Sequence, residues 1–243
     1  MLACLLAYQH LNKPSGVTPD LTPKVAIVDH LSISQPNPNF SQTIQTIISA
    51  TGLPVDYYPG EEVTVDFYRN LPMHNYKIII FRVHSTGECT VEGIPPYVVF
   101  FTSEEYSNIK HVQEQLDMRL VYVNFPENMP PGYFGITPLF IKNSINGRFN
   151  DTIIIAMGCD SLKYTTMAEA FIEKGAKVYI GWNGPVMASH TDKAITLLLQ
   201  KLIVEKQTIS GAVESTMEEV GPDPVNESIL TFYPMSMANY RFS

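Results

Sequence analysis

Three apolar runs, each ending abruptly in a polar or glycine-bearing turn, constrain this sequence more than anything else in it. Residues 76–83 (YKIIIFRV) stop at His84, Ser85, Thr86 and Gly87. Residues 152–157 (TIIIAM) stop at Gly158, Cys159, Asp160 and Ser161. Residues 176–180 (AKVYI) stop at Gly181, Trp182, Asn183 and Gly184. Unbroken β-branched and aromatic runs predict strands covered on both faces, the pattern of parallel sheets. Helix-period segments follow two of them, at 164–174 and 189–206. Strand and helix in alternation predict an α/β fold, a three-layer sandwich with a mostly parallel central sheet.

Further strands are expected at 24–29, 54–58 and 229–232. Ser41 suits the N-cap of a helix to Ala50, with Ile44, Ile47 and Ile48 at helical spacing and Gly52 beyond its end. Shorter helices are expected at 63–71, stopped by Pro72, and from Thr137 and Pro138 to Ile145. A last helix is expected at 209–220. Residues 88–125 read as an insertion with a strand at 97–101, a polar helix at 104–118 and a strand at 120–123. Pro126, Pro130 and Pro131 then mark a loop. The reading is one domain over 24–243, preceded by a proline-bearing tail over 1–23.

With 243 residues and 45% hydrophobic content, the chain can bury one sizeable core. Charged residues make up 16%, and Ser, Thr, Asn, Tyr and Pro take their place. That surface suits an extracellular or cell-surface setting, and the sequons at Asn39, Asn150 and Asn226 agree with it. The net charge is −8 with no cluster of Lys and Arg, which argues against nucleic-acid partners. Cys4, Cys89 and Cys159 form no CxxC, so a zinc knuckle and a thioredoxin-type site drop out. No metal site is expected, since His30, His74, His111 and His190 have no ligand spacing. The apolar run 1–7 is too short to span a bilayer and reads as the end of an upstream signal or anchor.

In open α/β sheets, ligands bind beyond the carboxyl ends of the strands. If the three central strands are parallel neighbours, their turns share one rim. A thiol nucleophile needs a base or ion-pair partner, and His84 stands at the end of one strand while Cys159 stands at the end of another. The Cys159 turn precedes a helix, whose dipole would favour the thiolate. Backbone N–H groups of Ser85, Gly87 and Cys159 are candidates for an oxyanion hole. A lone Cys or His in such a place is ordinarily structural; their joint occurrence is what singles them out. No GxSxG, GxGxxG or P-loop appears.

These residues give the chain a resemblance to the caspase-like cysteine peptidases. Strand–His84-Ser-Thr-Gly87 followed by strand–Gly158-Cys159-Asp-Ser161 is similar to their histidine and cysteine motifs. The stretch 167–182, with Phe171, Gly175, Ala176 and Trp182, resembles the segment after the cysteine in gingipain and CHAT relatives, and the chain as a whole most resembles the gingipain, CHAT and separase members. Residues 136–141, just before the cysteine strand, fit the same group. The likeness covers roughly 24–220 and is most specific over 152–182.

The resemblance implies Cys159 as nucleophile, His84 as base and leaving-group acid, no cofactor, and a peptide or protein substrate. It implies an S1 pocket, with Asp192 or Asp160 as candidate acids for a basic P1 residue and Trp182 as a candidate wall. Two departures stand out: Ser85 replaces the glycine that often follows the histidine, and Gly158 replaces the alanine that often precedes the cysteine. The Ser85 departure keeps a second reading open, a catalytically inactive fold that serves as a binding or scaffolding module.

Overall fold

The computed structural model describes residues 20–91, 93–124 and 132–242, without the side chains of 20, 89–91 and 94. The run 1–7 with Cys4, the Cys89 side chain, and Pro126, Pro130 and Pro131 lie outside the described residues. Strand β1 (Asp20–Asp29) leads to helix α1 (Pro38–Ser49), strand β2 (Val55–Pro59), helix α2 (Val65–Asn70) and strand β3 (His74–Arg82). Strands β4 (Ser85–Val91) and β5 (Ile94–Glu105), helix α3 (Val112–Leu116), and strands β6 (Leu120–Val123) and β7 (Tyr133–Ile136) follow. Then come α4 (Pro138–Asn143), β8 (Thr152–Ala156), α5 (Thr166–Glu173), β9 (Ala176–Trp182), α6 (Ala188–Leu199), α7 (Ile209–Val220) and β10 (Leu230–Tyr233).

The expected parallel sheet is present, in the order β10-β9-β8-β3-β1-β2, with β10 alone antiparallel to its neighbour. Alternation along its strands divides the apolar side chains between two faces. Val25, Ile27, Ile78, Ile80, Ile153, Ile155, Val178 and Ile180 pack under α1, α6 and α7. Ala26, Val28, Ile79, Phe81, Ile154, Ala156 and Tyr179 pack under α2, α4 and α5. Both faces are covered, which is why these strands carry unbroken apolar runs. Each fully buried isoleucine contributes roughly 1.5–3 kcal/mol. No helix among the described residues is long and apolar enough to cross a membrane.

A second, antiparallel sheet, β4-β5-β7-β6, packs on the α2/α4/α5 side through Val98, Phe100, Leu120, Phe134 and Ile136. It draws in strands on either side of the 88–125 stretch, from Ser85 to Ile136. The polar helix expected at 104–118 is mostly turn: β5 runs to Glu105 because β7 pairs with it there, and α3 holds only Val112–Leu116. The cap of α1 is Asn37, whose side chain accepts the Phe40 N–H, and not Ser41; Pro38 fills the first turn. Thr137 caps α4 as expected.

Candidate active site

β3 and β8 are parallel neighbours, with Ile78 opposite Ile153 and Phe81 opposite Ala156. Two residues past Phe81–Ala156 the chains turn, one at Val83–His84, the other at Gly158–Cys159. His84 and Cys159 therefore leave the same edge of the sheet and line one cleft of about 500 Å³. Ser85, Thr86 and Glu88 of β4, Phe101 of β5, and Tyr122 complete much of its wall.

The two turns are in direct contact. The Ser85 hydroxyl donates to the Cys159 carbonyl at 2.6 Å, which fixes the peptide that carries the thiol. Gly158 lies beneath this bond: a Cβ there would overlap the Ser85 hydroxyl and the Val83 carbonyl. The two departures noted in the sequence are thus one arrangement, a serine on one turn fitted against a glycine on the other.

His84 is half-buried. Its Nε2 lies 3.1 Å from the Ser34 hydroxyl, and the buried His30 ring meets it edge-on at 5.8 Å. Burial, helped by the nearby charges of His30 and Arg82, lowers its pKa to about 3. The Cys159 sulfur sits against one residue of the 183–187 loop. It donates to the Val186 carbonyl at 3.5 Å and accepts the Val186 N–H at 3.4 Å. Burial pushes this thiol up, and the Asp160 charge adds to the rise against the Val186 hydrogen bond. The expected help from a helix dipole is missing, because α5 begins only at Thr166 and dipole effects fade within one turn. At neutral pH both groups are uncharged.

Other expectations need correction. Asp192 does not line the cleft. Its carboxylate takes both Nε and NH2 of Arg82, at 2.7 and 2.9 Å, and also accepts from Asn37. Arg82, 1% exposed, also binds Asp29 at 2.8 Å. Asp192 instead borders a groove of about 640 Å³ between α1 and α6. Trp182 is 0% exposed, with its indole N–H on Thr191, so it is core and not a pocket wall. Asp160 does reach the cleft, but its carboxylate accepts the Gly87 N–H at 3.1 Å and lies 3.6 Å from the Lys163 ammonium. That bond removes Gly87 from the oxyanion-hole candidates and leaves the Ser85 and Cys159 N–H groups. The exposed carboxylate in the cleft is Glu88, which the sequence did not single out. Ser34 and Val186 were missed as well, and no local pattern marks either.

No protein-family model matches the chain, and no curated protein matches it. Among solved structures, a chain of the Saccharomyces cerevisiae separase–securin complex is similar over 96% of this chain, with 14% identity and a TM-score of 0.48. This chain spans 13% of the length of that one.

Proposed function

We propose that this chain is a cysteine peptidase of caspase-like type, with Cys159 as nucleophile and His84 as base. One observation carries the reading: β3 and β8 are hydrogen-bonded neighbours in register, so an imidazole and a thiol 75 residues apart emerge into one cleft. With both groups neutral, His84 acts as a general base and not as half of a standing ion pair. It takes the thiol proton as sulfur attacks the peptide carbonyl, then returns it to the leaving amine. Water hydrolyses the resulting thioester. The N–H groups of Cys159 and Ser85 are the donors offered to the oxyanion, each worth about 3 kcal/mol where geometry is right. Glu88, exposed in the cleft, gives it a negative character that favours a basic residue at P1.

One observation favours a second reading, a binding module with no turnover. In this conformation the sulfur is engaged by Val186 and the imidazole by Ser34. A panel of thiol-reactive peptide probes with Arg, Lys, Asp or Leu at P1 separates the two. The peptidase reading expects labelling of the native chain by the Arg or Lys probe, loss of it in Cys159→Ala, and at least a tenfold slowing in His84→Ala. Absence of Cys159-dependent labelling across the panel rejects the peptidase in favour of the module.

A further inference from the structure

Asp223 is 1% exposed, and no Lys or Arg among the described residues pairs with it. Four N–H donors take the place of a cation. Oδ2 accepts the Met187 N–H at 2.8 Å; Oδ1 accepts from Val225 N–H at 3.1 Å and from the backbone and side-chain N–H of Asn226, both at 2.9 Å. Burial opposes the charge, but the donors outweigh it and hold the carboxyl below its ordinary range. The joint they make is reinforced beside it. Asn183 and Ile229 exchange two hydrogen bonds, and the Ser228 hydroxyl donates to the Pro185 carbonyl. The 183–187 loop is also tied to the cysteine turn, since Asp160 donates its N–H to the Gly184 carbonyl at 2.9 Å.

Val186, the residue that holds the Cys159 sulfur through both its N–H and its carbonyl, immediately precedes the residue clamped by the carboxylate. We propose that Asp223 is a positioning residue for Cys159: it fixes the 183–187 loop and, through Val186, the direction in which the sulfur points. A loop needs no buried anion merely to be covered. A charged acceptor gives stronger and more directional bonds to N–H groups than a neutral one, and it is the stiff choice where one peptide must stay in place.

The inference rests on Cys159 being the reactive group of the proposed peptidase, and its test separates the two. Alkylation of the full chain by iodoacetamide is followed at Cys159 by peptide mass mapping from pH 6 to pH 10. Asp223→Asn keeps the shape but turns one acceptor oxygen into an N–H donor, so part of the clamp is lost. Met187→Pro removes one N–H, at an exposed residue whose φ of −70° already suits proline. Both variants are expected to alkylate about fivefold faster at pH 7, with the rate midpoint moved to lower pH, because the sulfur gains water and the relief of burial outweighs the loss of the Val186 hydrogen bond. Labelling by a directed peptide probe, which needs an aimed sulfur, is expected to slow about tenfold in the same variants. A native rate profile in a folded variant overturns the assignment. If Asp223→Asn fails to fold, Met187→Pro decides. Because iodoacetamide needs no turnover, a shifted profile without any probe labelling sinks the peptidase and leaves Asp223 its role; a native profile with full labelling does the reverse.

Discussion

His84 leaves the core at the end of β3, two residues past an arginine locked between Asp29 and Asp192. Cys159, across the cleft, rests on a turn whose neighbours are the Ser85 hydroxyl and the backbone of Val186. The imidazole side is built from buried charge and sheet, the sulfur side from hydrogen bonds between loops. The contrast separates two properties. Damage to the first side costs the fold itself, whereas damage to the second changes the thiol before it changes stability.

The largest effect expected from that contrast lies at Arg82. Arg82→Ala would leave Asp29 and Asp192 buried without their cation, a loss of about 3–5 kcal/mol. Urea unfolding measures it, and a loss below about 1 kcal/mol would mean that the imidazole side is no more core-like than the other. Gly158→Ala comes next, since it strikes the joint between the sides. The overlap with Val83 and Ser85 forces backbone movement, about 1–3 kcal/mol, read as a fall in Tm. Adding Ser85→Gly should recover only part of it, because the Val83 carbonyl remains in the way. Ser85→Ala alone removes one hydrogen bond and should cost about 1 kcal/mol while altering the Cys159 alkylation rate, an imbalance in the direction the contrast requires.

A pH slope tests the imidazole side alone. The folded pKa of His30 is lowered to about 4 and that of His84 to about 3, against an ordinary value of 6.5. Between those limits the unfolded chain binds more protons than the folded one. Stability is therefore fullest above about pH 6.5 and declines as pH falls toward 4. His84→Gln should make the decline in urea midpoint between pH 7 and pH 4 shallower. An unchanged slope would show that the imidazole side is more open to water than its contacts with His30 and Phe101 imply.

What could be read in advance followed from burial on both faces. Residues 78–81 and 153–155 are apolar because helices or a second sheet cover each side, and such runs are visible in one dimension. β4 was not visible: STGECTV is an edge strand paired only with β5, and its first four residues look like a turn. β7 is four residues long and contains Gly135, kept small by Val99 and Val123 packed against it. At the site, placing His84 and Cys159 on one edge needed only strand order. Asp192 failed because its partner, Arg82, lies 110 residues away, and no local pattern records that pairing. Trp182 was legible in principle, since it shares parity along β9 with the core residues Val178 and Ile180. Asp223, between two prolines, carries the signature of a turn in which the side chain caps its own loop, but nothing nearby names Met187 as its second partner.

Val83 and His84 are the entire span between β3 and β4. With so short a coupling, any tilt of the small sheet on the large one has to be taken up within four backbone dihedrals, two of them at His84, so the ring's heading follows the angle between the sheets. A load on the outer strands of the small sheet is felt at the ring nitrogens.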